Sequence, residues 1–277
     1  MSGFSVDWLD LRETADRGAR DAGLLEQAKH WLRGNPSSDR RPTIVDLGAG
    51  TGSTLRAFAE SDDFSPNGIE WLLVDQDRPL LAEARRRHGH SHAVETCELD
   101  LAKISDLPLA CARLVAASAL FDLVSAEFVD SLAIHLETLC QRQPVGLYTA
   151  LNYDGTTDWT PTHPLDDAVL EAFNRDQQRD KGFGPALGPD ACGYLQRRFV
   201  EAGFKVSSAH SPWILDGADR SMMTELITGI AAAAANTPAL DSDSLEDWLE
   251  FRLDKVNDSS CIVGHTDMLA LPRGDSI

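Results

Sequence analysis

The stretch IVDLGAGTGSTLRAF, residues 44–58, constrains this chain more than any other part of it. An apolar run carries an acid near its end, three glycines follow at alternate positions, and an amphipathic segment begins at once. Glycines let a backbone turn sharply and approach a ligand closely, and the free amides of a helix start favour an anionic group. The pattern reads as strand, nucleotide loop and helix, a unit that belongs to α/β folds.

The rest of the chain keeps this rhythm. The apolar runs TIVDL (43–47), WLLVD (71–75), HAVETCEL (92–99), RLVAASAL (113–120) and PVGLYTALNY (144–153) are separated by segments with apolar residues at helical spacing. Strands alternating with helices imply βαβ units and a mostly parallel sheet covered on both faces. Residues 5–33 form a leading helical cap whose buried face is Trp8, Leu11, Ala15, Leu24, Leu25, Ala28, Trp31 and Leu32, with Gly18 and Gly23 as breaks. GNPSSDRRP (34–42) links this cap to the first strand.

After Tyr153 the rhythm changes. An irregular loop, DGTTDWTPTHPLDD, precedes the helix VLEAFNRDQQRDK, the loop GFGPALGPDA and the helix CGYLQRRFVEAG. Residues 154–200 read as an insertion on the acceptor side, able to act as a lid. FKVSSAHSPWIL (204–215), two helices around 219–235 and 243–256, and SCIVGHTDMLAL (260–271) complete the chain. The expectation is one domain over 1–277: a seven-stranded doubly wound sheet with an antiparallel last strand.

Three ligand classes compete for the glycine loop. A P-loop needs a lysine after the last glycine, and Ser53 and Thr54 follow Gly52. A dinucleotide loop prefers Gly or Ala where Ser53 stands, a mild mismatch. The S-adenosylmethionine (SAM) pattern, D/E-x-G-x-G-x-G, fits Asp46 through Gly52 at each named position. An acid at its head suits an ammonium group and would repel a pyrophosphate. Asp75 ends the second run about 20 residues on, as a ribose-binding acid does in NAD folds too. Asp77 suits an N-cap, with Pro79 in the following turn.

The motifs VDLGAGTG, LLVDQD, ELDL and LVAASALFDLVS, with the two late strands, make the chain resemble a class I (Rossmann-like) SAM-dependent methyltransferase over nearly its whole length. DWLDLRETAD, SALFDLVS and DKGFGPALGP are similar to a bacterial subgroup without a defined substrate. The resemblance implies cofactor contacts at Asp46, Gly48, Ala49, Gly50, Gly52 and Gln76, with Asp75 on the ribose. It places Asp100 and Leu101 beside the adenine, Ser118 and Ala119 beneath the methionine part, and Arg12 near its carboxylate.

The implied activity is transfer of a methyl group to O, N or C of a small molecule. In-line displacement can proceed by positioning and desolvation alone, so no catalytic residue is assigned. The Asn/Asp-Pro-Pro-aromatic signature of amide methylation is absent from the fourth strand's end, where Ser118-Ala119-Leu120-Phe121 stands. Candidate acceptor contacts are Asn152, Tyr153, Trp159, His163, Lys181, Phe183 and Trp213. Asp122 reads as a helix cap or a solvated acid; with Glu127 and Asn152 it makes no persuasive metal set, and no metal is assigned. Alternative readings are a SAM-binding sensor or scaffold without transferase activity, and an NAD(P)-dependent oxidoreductase.

Charge narrows the partners. Asp and Glu outnumber Lys and Arg by 44 to 25, a net charge of −19 that repels nucleic acid and anionic lipid. Arg85-Arg86-Arg87-His88 reads as a solvated helix end. Five scattered cysteines without a C-x-x-C pair read mostly as reduced core thiols. No signal-peptide pattern opens the chain and IAAAAA (230–235) is too short to cross a bilayer, so a cytoplasmic protein is expected, with a homodimer left open.

Overall fold

The computed structural model describes residues 4–35, 41–60, 68–237 and 240–273. The centre of the 34–42 linker lies outside them. Two helices, α1 (Val6–Ala19) and α2 (Ala22–Gly34), precede β1 (Thr43–Leu47), α3 (Ser53–Ala59), β2 (Glu70–Asp75), α4 (Arg78–His88) and β3 (Ala93–Glu98). Next come β4 (Ala112–Ser118), α5 (Ala126–Cys140), β5 (Gly146–Thr160), α6 (Asp166–Gln177) and α7 (Ala191–Glu201). β6 (Phe204–His210), β7 (Trp213–Leu215), α8 (Arg220–Ala234), α9 (Ser242–Lys255) and β8 (Ser260–Pro272) complete the described chain.

The sheet order is β3-β2-β1-β4-β5-β8-β6, with the short β7 also on β8. β1 to β5 pair in parallel, and β8 runs antiparallel to β5, β6 and β7. The chain winds outward from β1 to β3 and returns to place β4 on the other side of β1. The order reverses there, and such a switch point opens a crevice at the carboxyl ends of the strands.

Side chains set the helix starts. Asp77 accepts a hydrogen bond from the Leu80 amide and caps α4. Ser125 does the same for α5 through Phe128, and Asp21 for α2 through Leu24. α5 packs Phe128, Val129, Leu132, Ala133 and Leu136 against one sheet face, at spacings that put all five on one stripe. On the other face Leu24, Ala28 and Leu32 of α2 join Ile44, Leu73 and Phe58. No described helix is long and apolar enough to cross a membrane.

Several expectations need correction. The loop read in DGTTDWT is strand: β5 runs on to Thr160, its pairing with β8 shifted between Tyr153 and Thr157. A register shift hides strand from a period-2 reading, because the two-residue alternation is lost there. The single strand expected over 204–215 divides at Ser211-Pro212, giving eight strands among the described residues in place of seven. The leading helices break at Arg20-Asp21, leaving Gly18 within α1 and Gly23 within α2, because Asp21 starts a new helix as its cap. α1 buries Arg12 and Asp16, while Trp8, Leu11 and Ala15 are only half-buried. In the basic run His88 is buried, and of the cysteines only Cys261 is fully so.

Candidate functional site

The glycine loop is held against β2. The Gly48 and Ala49 amides donate to the Val74 carbonyl at 2.9 and 3.2 Å, and Gly50 donates to Asp75 Oδ2 at 2.8 Å. Asp75 Oδ1 also accepts from the Asp77 amide at 2.9 Å, so one carboxylate ties together the loop, β2 and the cap of α4. Burial raises the Asp75 pKa, and these amide bonds oppose the shift. Gly52 starts α3 at φ 86°, where a Cβ would lie 3.0 Å from the His88 ring. Conformation and space both demand glycine there. A Cβ on Gly50 would meet Leu9 at 3.2 Å, so α1 roofs the loop.

Two opposite charges face the crevice between β1 and β4. Asp46 is buried within β1, and neither carboxylate oxygen has a hydrogen-bond partner among the described residues. Burial pushes its pKa up to about 7, against the nearby Arg20 charge and a Thr54 hydroxyl that lies close but outside bonding geometry. Arg20, just past α1, donates from Nη2 to Ser118 Oγ at 2.8 Å and Ser53 Oγ at 3.2 Å. Its Nη1 and the buried Tyr148 hydroxyl lie close to each other, and neither has a well-formed hydrogen bond among the described residues. Leaving such atoms unpaired costs about 1–3 kcal/mol each, so the crevice is made for something polar.

The backbone around it is strained at two points. Ala119 and Leu151 have φ of 50° and 57°, a region that bulky residues avoid. Asp267 on β8 holds the second: its carboxylate accepts from the Leu151 amide (2.8 Å), the Asp21 amide (2.9 Å) and Ser211 Oγ (2.6 Å). One buried acid thus fixes β5, the corner carrying Arg20 and the β6–β7 break.

Asp100 is exposed after β3 and accepts from the Ala102 amide, beside buried Leu101, while Gln76 is exposed at the end of β2. Arg12 lies elsewhere. Its Nε donates to Asp16 at 2.9 Å, its guanidinium stacks 4.9 Å from the Trp213 ring centre, and Trp213 Nε1 donates to Asp16. The acceptor candidates divide likewise. Tyr153 and Trp213 flank His265 on one sheet face, with ring centres 6.2 and 4.7 Å from it. Asn152 is spent inside the sheet on Thr149 and the Thr266 carbonyl. Trp159 stacks on buried Arg252, and His163 packs on Phe251. Lys181 pairs with Asp176, and Phe183 stands edge-on to Phe128 at 5.4 Å.

Sequence reasoning missed Arg20, Asp267 and His265, and set Asp122 aside. Asp122 does not cap α5, a position taken by Ser125, and its Oδ1 is buried without a partner among the described residues. Two surface clefts of about 560 and 650 Å³ meet near Trp31, Asn35 and Leu271, at the other edge of the sheet, and take no part in this arrangement.

The strand order, the glycine loop after β1 and the antiparallel β8 define a Rossmann-like α/β fold. Among solved structures, the chain is similar to the YcgJ protein of Bacillus subtilis, with 16% identity and a TM-score of 0.50 over 92% of this chain and 100% of that one. It is also similar to a cyclopropane-fatty-acyl-phospholipid synthase-like protein from Lactobacillus casei ATCC 334, with 15% identity and a TM-score of 0.51 over 97% and 94%. No protein-family model and no curated protein matches the chain.

Proposed function

We propose that the protein binds SAM in the crevice between β1 and β4 and transfers its methyl group to a small molecule. The observation that carries this reading is the buried pair Asp46 and Arg20, opposite in charge and each with unpaired polar atoms, beneath a glycine loop. An amino-acid moiety brings an ammonium for the first and a carboxylate for the second. A dinucleotide offers neither, and its pyrophosphate would meet Asp46 with like charge. Asp75 retains lone pairs for ribose hydroxyls beyond its bonds from the Gly50 and Asp77 amides. Asp100, Leu101 and Gln76 then face the base, and Ser118 and Ala119 underlie the methionine chain.

When bound, SAM supplies an electrophilic methyl group on a sulfonium. The chain's own part is to orient that group and keep water away: α1 covers the loop through Leu9, and Arg20 closes the gap between Ser53 and Ser118. Phe183, anchored on Phe128, holds the 182–188 loop over the end of β4, where Leu187 and Gly188 donate to the Val124 and Asp122 carbonyls. A cytoplasmic, small-molecule enzyme fits the acidic surface.

Calorimetry with SAM, S-adenosylhomocysteine and NAD tests the cofactor. Heat from the first two and none from NAD is expected; binding of NAD alone would overturn the reading. Transfer of labelled methyl to extracted metabolites then separates an enzyme from a SAM sensor.

A further inference from the structure

A second polar cluster lies beside the crevice. Thr157 and Tyr153 of β5, Trp213 of β7 and His265 of β8 share one sheet face, because Trp213 and Thr157 both pair with Val263, and Tyr153 pairs with His265 two residues on. α1 packs on β7 and adds Arg12 and Asp16. The segment after β4 adds Asp122, whose carboxylate draws on the Tyr153 backbone amide and feels the Arg12 charge.

Two polar atoms in this cluster are buried and unpaired. Thr157 is only 7% exposed and its Oγ1 has no partner among the described residues; the Tyr153 hydroxyl is close but donates to Asn174 instead. Asp122 Oδ1 is equally unpaired, although the residue as a whole keeps some surface. Arg12 uses only its Nε, on Asp16, which leaves both terminal nitrogens without hydrogen bonds among the described residues. The other groups are accounted for. His265 Nδ1 lies 3.0 Å from the Val263 carbonyl, and burial followed by the Arg12 charge pushes its pKa to about 3, so the ring is neutral. Burial keeps the Cys192 thiol, on α7, protonated with a pKa of about 11.

We infer that this cluster is the acceptor pocket and takes a planar aromatic or heteroaromatic compound bearing an ionisable O–H or N–H, with Asp122 Oδ1 as the atom that holds and removes that proton. The inference rests on the SAM reading for the identity of the reaction, and on the two orphaned oxygens and the aromatic walls for the pocket. In the proton step the O–H or N–H bond breaks, its electron pair stays on the acceptor heteroatom, and the proton passes to Asp122. The new anion then faces Arg12, and Thr157 offers the hydroxyl that positions it. Burial raises Asp122 to about 6, which leaves it ionised near neutral pH and still basic enough to share a proton.

The test uses para-nitrophenol, whose phenolate is yellow and whose neutral form is not, titrated at about pH 8 into protein saturated with S-adenosylhomocysteine. Beside an ionised Asp122 the neutral phenol is favoured, so the phenolate band should bleach on binding. Asp122→Asn should still bind the dye but keep or strengthen the band, since the carboxylate beside the dye is gone while Arg12, paired with Asp16, remains. Thr157→Val, which keeps shape, should weaken dye binding by about 5-fold, the size of one hydrogen bond, and leave S-adenosylhomocysteine affinity unchanged. No dye uptake by the wild type, or the same band for the wild type and Asp122→Asn, would overturn the inference. If the asparagine variant does not fold, the Thr157→Val titration and the wild-type band decide alone. Failure of S-adenosylhomocysteine itself to bind would sink the SAM reading, and the dye titration in its absence would still report on the pocket.

Discussion

Asp46 is the residue on which the cofactor reading can be broken most cheaply. Its folded pKa of about 7 stands above the ordinary carboxylate value of about 3.9, so the folded state binds the proton more tightly. Its favourable contribution to stability is therefore present below the unfolded pKa and lost as pH rises through about 7. Asp46→Asn should gain roughly 2–4 kcal/mol over wild type at about pH 8 and little at about pH 4, read from urea unfolding of the unliganded protein. The same change should weaken S-adenosylhomocysteine and abolish the rise in its affinity as pH passes through 7. A variant with lower stability at high pH would show that Asp46 is paired. Arg20 makes a matching prediction. Arg20→Met should lose about 1.5–3 kcal/mol of S-adenosylhomocysteine binding, while methylthioadenosine, which has no carboxylate, binds as before. Equal losses for both ligands would mean that the arginine only shapes the crevice through Ser53 and Ser118. Asp46 was legible because the acid and glycines are contiguous in the chain. Arg20 was not, since it stands 98 residues from Ser118 and looks like any arginine at a helix end.

At the scale of elements, β8 is the piece that gathers the site. Asp267 on this strand binds amides 246 and 116 residues away in sequence, at Asp21 and Leu151, and no local pattern announces such a partner. Asp267→Asn presents a donor where three donors already point, and should cost about 3 kcal/mol in urea unfolding. Hydrogen exchange at the Leu151 and Asp21 amides should speed up together, and S-adenosylhomocysteine should bind more weakly because the corner carrying Arg20 loosens. Unchanged exchange at Asp21 would separate the two sites. The alternation of strands and helices up to β5 was readable, because buried parallel strands are continuous apolar runs bounded by caps. The extension of β5 was not, because the shifted pairing between Tyr153 and Thr157 breaks the alternation that marks a strand. α1 misled for a different reason: it buries the Arg12–Asp16 pair against Trp213 and leaves Trp8, Leu11 and Ala15 half-buried, so the apolar stripe pointed to the wrong residues.

Over the whole molecule the excess of acids sets a repulsive field that favours expansion. Raising salt from about 0.02 to 0.5 M, which shortens the screening length to a few ångströms, should therefore raise the melting temperature by several degrees. A fall would mean that ion pairs such as Arg87 with Asp10 and Glu83 outweigh the general repulsion. The sequence by itself determined the α/β class, the glycine loop and the acid at its head, because each is written in neighbouring residues and in backbone conformations that few residues can adopt. Only the tertiary structure decided which arginine stands near that acid and which oxygens are left unpaired among the described residues. Burial and hydrogen-bond satisfaction are properties of the packed molecule, and the groups that share them here come from opposite ends of the chain.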